Sequence, residues 1–184
     1  MLLDRDDSLL IVVDAQPGFL APEAEPAVER MAWLVAIAVR LAVPVVGTEE
    51  EPERNGATDP RVQAQLPPQA PTFVKPTFGL AGTPEILAAV KATGRGTAVL
   101  VGCETDVCVA QSAIGLLQAG LAAVVVEDAT FSPGEMHERG LTRLAGAGVA
   151  RNHAKGIAYE WLRTVDDANT VLADPTLPAP PFPL

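Results

Sequence analysis

The sequence predicts an α/β fold of three layers, a six-stranded and mostly parallel sheet between two layers of helices. Three observations carry that prediction. Ser8 to Val13 is an unbroken leucine and β-branched run, the pattern of a strand covered on both faces. Runs of this kind alternate with segments of helical spacing along the whole chain, which implies parallel strands joined by helices. Glycine and proline punctuate the joints between them.

The elements follow in order. The first strand ends on Asp14, and Pro17-Gly18 breaks the chain. From about Pro26 to Leu41, apolar residues recur at Val28, Met31, Val35, Ala38 and Ala42, a helical period. Pro44 to Thr48 is the second strand. Glu49 to Pro71 holds five prolines and reads as a long surface loop with one helical turn near Val62. Thr72 to Lys75 is a third strand stopped by Pro76. Thr83 as N-cap and Pro84 at the first position open a helix that Gly94 closes. Thr97 to Gly102 is the fourth strand. Thr105 to Ala119 is a helix with Val107, Ala110, Ile114 and Leu117 on one stripe, ended by Gly120. Leu121 to Val126 is a fifth strand, Pro133 to Ala147 a helix, Val149 to Asn152 a sixth strand, and Ile157 onward a final helix. The 184 residues suit a single domain, 1–184, whose end from Asp174 to Leu184 carries five prolines and forms an extended arm.

Composition narrows the function classes. Apolar residues make up 48 % and charged residues 20 %, so the chain is globular. A net charge of −10 argues against a nucleic-acid partner, because no basic face offsets phosphate repulsion. The acidic start, Met1 to Asp7, lacks the basic and apolar segments of a signal peptide. The longest apolar stretch, Met31 to Val46, is broken by Arg40 and Pro44, which predicts no membrane span. The expected location is the cytoplasm. Cys103 and Cys108 have neither the spacing of a CxxC redox pair nor that of a zinc knuckle.

Parallel sheets bind ligands at the carboxyl ends of their strands, where strand order reverses. Asp14, Lys75 and Cys108 each fall at or just past such an end, so three reactive side chains converge on one rim. Cys108 lies in the first turn of its helix, where unpaired N–H groups and the helix dipole lower a thiol's pKa. Blander readings exist for each residue alone. A free cysteine is often just packed, an Asp can cap a turn, and a strand-end Lys is usually exposed. A small-molecule substrate is the partner this rim suits. Phe19, Glu49, Phe78 and Phe131 are the expected pocket residues, with the Glu49-Glu50 loop beside them.

Taken together, Ile11 to Phe19, Val74 to Gly79 and Gly102 to Val109 resemble the isochorismatase-like cysteine hydrolase superfamily, over roughly Ser8 to Leu172. The chain looks closest to short, metal-free members with a Glu at the place of Glu104. The resemblance implies a Rossmann-like sheet of the isochorismatase type, with Cys108 as nucleophile, Asp14 as general base and Lys75 stabilising charge on both. It also implies a cis peptide at Cys103–Glu104 and an oxyanion hole from the N–H groups of Glu104 and Cys108. Hydrolysis of an amide or ureido group through a thioester follows. No cofactor is implied, and a homo-oligomer, dimer or tetramer, is expected. Vinyl-ether hydrolysis of the isochorismate type and a catalytically weak scaffold are the alternatives.

The nicotinamidase branch carries a metal-binding Asp and histidines in the loop after the second strand. Here that loop reads Gly47-Thr48-Glu49-Glu50-Glu51-Pro52, with no histidine before His137, so no metal is expected. His137 falls on the Leu141, Leu144, Gly148 stripe and is expected to pack, and His153 to sit in a surface loop. Gly94 and Gly96 precede a strand rather than follow one, which argues against a dinucleotide fingerprint.

Overall fold

A computed structural model describes residues 2–183. Its strands are β1 (Ser8–Val13), β2 (Val45–Glu49), β3 (Thr72–Val74), β4 (Thr97–Cys103), β5 (Ala122–Phe131) and β6 (Ala150–Asn152). They form one sheet in the order β3-β2-β1-β4-β5-β6, and every pairing is parallel. Strand order reverses between β1 and β4, which puts the ligand-binding crevice of such sheets there.

The helices are α1 (Glu25–Arg40), the short α2 (Pro52–Asn55) and α3 (Pro60–Gln63), α4 (Pro84–Ala92), α5 (Ala110–Gln118), α6 (Met136–Gly146), α7 (Ala154–Leu162) and α8 (Val165–Leu172). Because strand side chains alternate, each central strand feeds two cores. Leu10, Val12, Val99 and Val101 pack with α1 and α7, including Trp33 and Trp161. Leu9, Ile11, Leu100 and Val125 pack with α4, α5 and α6. The buried Trp161 donates its Nε1–H to Ser8 Oγ at 3.1 Å, so its polar atom is satisfied. No helix among the described residues is long and apolar enough to cross a membrane.

Several expectations shift. The strand after Gly120 runs on to Phe131, past Glu127-Asp128, because a register shift against β4 lets Gly102 pair with Thr130. The charged pair reads as a strand end, yet Asp128 is used at the sheet edge: Ala154 N–H donates to its Oδ1 at 2.7 Å. The last helix is two, α7 and α8, separated at Arg163 with its φ of 67°. Thr164 restarts the helix by accepting the Asp167 N–H at 3.0 Å. Thr83 precedes Pro84 as predicted, but its hydroxyl lies 3.0 Å from Thr77 Oγ1 and makes no cap bond. The fully buried residues of α5 are Ala110, Ser112, Ala113 and Leu116, while Val107, Ile114 and Leu117 of the predicted stripe are partly buried against the same core. The end of the chain lies along the α1 core, where Phe182 meets Trp33 edge to face, ring centroids 4.9 Å apart.

Candidate active site

Asp14 follows β1 with a φ of 45°, a left-handed conformation that non-glycine residues rarely adopt. Surrounding bonds hold it there. Its N–H donates to Thr48 O at 3.0 Å, and Thr48 Oγ1 donates to its Oδ1 at 2.8 Å. Lys75 follows the edge strand β3, and its N–H donates to Glu49 O at 2.9 Å. Lys75 Nζ lies 2.7 Å from Asp14 Oδ2, and both side chains are fully buried. A lysine is buried only when paired, and this ammonium has several partners. It donates to Thr77 O at 3.1 Å and lies 3.5 Å from Cys108 Sγ and 3.5 Å from Glu50 Oε2.

Cys108 belongs to a widened turn, Thr105–Val109, in which Val109 N–H reaches back five residues to Glu104 O at 3.0 Å. The predicted regular first turn of α5 is therefore a π turn, a rare form that favours functional sites. Two glycines admit it. Gly102 has a φ of 120°, and a Cβ there would meet Val13 O at 1.9 Å, so β4 passes β1 at a distance only glycine allows. A Cβ on Gly140 would lie 2.7 Å from Asp106 N, so α6 seats directly on the turn. The Cys103–Glu104 peptide is cis, as the resemblance implied.

The electrostatics correct one expectation. Cys108 is not a lowered thiol: burial pushes it up, with Asp14 adding to the rise, Lys75 opposing, and bonds to Asp14 and Glu50 adding more. The helix start does not outweigh a site holding two carboxylates. Burial likewise raises the Asp14 carboxyl against the pull of Lys75 and Thr48, which makes it a better proton acceptor than an ordinary Asp. Burial opposes charge on Lys75, but Asp14 more than offsets it, so the amine is held as ammonium. The free site thus contains a protonated thiol, a fixed cation and a carboxylate inclined to take a proton.

Asp14, Lys75 and Cys108 are brought together as the sequence suggested. The pocket residues fare differently. Glu49 turns away, its carboxylate accepting the Thr58 N–H at 2.7 Å and hydroxyl at 2.8 Å. Glu50 takes the place in the site: Cys108 S–H donates to its Oε2 at 3.3 Å. Glu50 lies one residue past the end of β2, and Thr48, within the strand, contacts Asp14. Phe78 borders a cleft of about 690 Å³ with Glu50, Glu51, Arg54, Val74 and Lys75. Phe19 and Phe131 pack instead against the α1-side core. Gln16 was also missed. Its amide grips the Glu50 backbone, accepting the N–H at 2.7 Å and donating to the carbonyl at 3.1 Å.

His137 is half-buried, and its Nδ1 lies 2.9 Å from Thr105 Oγ1, so it braces the π turn from behind. His153 caps α7 by accepting the Gly156 N–H at 3.1 Å. Asp14, Glu50 and Cys108 offer metal-type donor atoms within 4.8 Å of one another. The Lys75 ammonium already sits 2.7 to 3.5 Å from all three, and a protonated thiol is a poor ligand, so the three together do not suit a metal ion.

Comparison with known proteins places the chain in a family. The model of the Isochorismatase domain matches residues 8–153. The chain is 27 % identical to the probable hydrolase YcaC of Escherichia coli, over 94 % of this chain and 88 % of that protein. It is 31 % identical to isochorismatase domain-containing protein 2 of Bos taurus, over 83 % and 74 % respectively. The crystal structure of E. coli YcaC, described as an octameric hydrolase of unknown specificity, superposes with a TM-score of 0.85 at 26 % identity, covering 94 % of this chain and 89 % of that one. YcaC from Pseudomonas aeruginosa, solved with hexane-2,5-diol and covalent acrylamide, gives 0.82 at 26 % identity over 93 % and 90 %.

Proposed function

The chain belongs to the isochorismatase family, and on that premise we propose that it is a cysteine-dependent hydrolase of a small polar amide or ureide. The observation that carries the reading is the Lys75 ammonium held between Asp14, at 2.7 Å, and Cys108, at 3.5 Å, where strand order reverses. A neutral thiol is a weak nucleophile, and a nearby base with a compensating cation corrects that.

In the proposed reaction, Asp14 takes the proton from Cys108 as Sγ attacks the substrate carbonyl. Lys75 keeps the two negative charges from opposing one another. The tetrahedral oxyanion is received by the N–H groups of Glu104 and Cys108. Collapse breaks the C–N bond, the Asp14 proton passes to the departing nitrogen, and an acyl thioester remains. Water then attacks the thioester, giving its proton to Asp14. The C–S bond breaks, the acid leaves, and Cys108 recovers its proton. One water is consumed, and one acid and one amine are released.

Support also comes from relatives. YcaC of E. coli is described as a hydrolase, and YcaC of P. aeruginosa carries covalent acrylamide, a reagent that thiols attack. Self-association is part of the proposal, since E. coli YcaC is an octamer. Val74 and Phe78, exposed beside the cleft, are apolar surface that a second copy would cover.

A panel of primary amides and ureides, run on wild type and Cys108→Ala together, tests the reading. Ammonia release by wild type alone, with a transient acyl mass on Cys108, is the expected result. A Cys108→Ala protein as active as wild type overturns it and leaves the aspartate-led vinyl-ether reaction. Light scattering that finds only monomer removes the self-association.

A further inference from the structure

We propose that Glu50 determines the specificity of this site, selecting substrates that carry a positive charge beside the scissile carbonyl. The proposal rests on the hydrolase reading and adds a substrate class to it.

The argument begins with charge pairing. Asp14 and Lys75 neutralise one another, and both are fully buried. At the cleft rim, Glu51 is paired by Arg54 at 3.4 Å. Glu50 remains. Its one cationic contact is the same Lys75, at 3.5 Å, which is already committed to Asp14. Lys75 and Glu50 both border the cleft, and of the two carboxylates near that ammonium Glu50 alone is part-exposed, at 20 % against none for Asp14. The two cations that border the cleft are already paired, Lys75 with Asp14 and Arg54 with Glu51, while Glu104, half-buried, forms no ion pair among the described residues and is pushed up by burial, Asp106 and Glu50. A substrate entering this cleft meets net negative charge in a place shielded from solvent, where Coulomb interactions are strong.

Glu50 is also held in place. Gln16 grips its backbone on both sides, and Asn55 Nδ2 donates to its carbonyl at 2.9 Å. Because the Cys108 S–H is directed at Glu50, at 3.3 Å, the same carboxylate restrains the nucleophile in the empty site. A substrate cation that pairs with Glu50 occupies its acceptor capacity and leaves the thiol proton to Asp14. Attack on sulfur is then favoured when the right charge is present. An anionic substrate gains no such release and is repelled.

Three methanethiosulfonate reagents test this without a known substrate: the 2-aminoethyl (cationic), 2-sulfonatoethyl (anionic) and methyl (neutral) forms. Each converts a thiolate to a mixed disulfide and releases a sulfinate. Labelling of the intact protein is followed by mass at Cys108, and rates are normalised to a free thiol. In wild type the cation-to-anion ratio should exceed that of the free thiol at least tenfold, roughly what one nearby charge supplies in a shielded cleft. Glu50→Gln should bring the ratio within about threefold of the free thiol, while Glu50→Asp and the exposed-site variant Glu51→Gln keep the wild-type preference. A wild-type ratio equal to the free thiol's, a ratio unchanged in Glu50→Gln, or Cys108 inert to all three reagents overturns the proposal. An amide panel negative for every charge, beside an intact labelling preference, counts against the hydrolase reading and not against Glu50.

Discussion

Cys103 and Cys108 are buried thiols five residues apart, and burial pushes both up, yet only one is placed to react. Cys103 ends β4 with its side chain in the α1-side core, where it adds apolar volume. Cys108 stands in the π turn with an ammonium at 3.5 Å and a carboxylate accepting its S–H at 3.3 Å. The raised thiol is common to both, so it is not what sets Cys108 apart. What distinguishes Cys108 is a route for its proton and a cation to balance the charge left behind.

The comparison breaks most easily at the chemistry. Cys108→Ala should lose at least about a thousandfold in turnover, whereas Cys103→Ala should stay within a few-fold of wild type. Steady-state kinetics on both variants decide it, and equal losses would end the distinction. Asp14→Asn removes the proton acceptor and should cost about 10² to 10⁴ in rate. It also leaves the buried Lys75 without its closest partner, so a drop in stability of about 3 to 5 kcal/mol is expected in urea titration. Iodoacetamide should modify Cys108 at least about tenfold faster than Cys103, read by peptide mass, because alkylation needs both access and a base.

Stability against pH tests what the two share. The folded thiols keep their protons where unfolded thiols, near 9.0, lose them. The folded state therefore binds more protons above that pH, and stability falls as pH rises through this range. The slope should approach about 1.4 kcal/mol per pH unit for Cys103. Removing either cysteine should flatten the slope by a similar amount, because both thiols are raised from the same unfolded value to a similar extent. The smallest effect is the packing cost of Cys103→Ala at neutral pH, about 1 kcal/mol.

Much of this arrangement was legible in the residues. The apolar run of β1 has no polar break until Asp14, so both the strand and the carboxylate beyond it could be placed. Pro76 and the glycines around β4 marked the other two turns. What escaped depends on contacts distant in sequence. Glu49 and Glu50 are indistinguishable by composition, and only Thr58 and Gln16, folded in from elsewhere, decide which faces the thiol. The charged Glu127-Asp128 pair hid the continuation of β5, because the register shift that carries it is a property of the pairing with β4. The direction of the Cys108 shift was misread for the same reason. A helix start is local, but the burial that raises the thiol, and the Asp14 and Glu50 carboxylates that add to it, come from the chain just past β1 and β2 and from the packing around them.

Gly102 carries a consequence for anyone engineering this protein. A Cβ there would fall 1.9 Å from the Val13 carbonyl, one residue before Asp14. Even alanine would wedge the two central strands apart beside Asp14 and shift it from Cys108. A library aimed at new substrates can vary the cleft rim freely, but it should leave position 102 alone, where a single methyl group would silence the enzyme without touching any reacting atom.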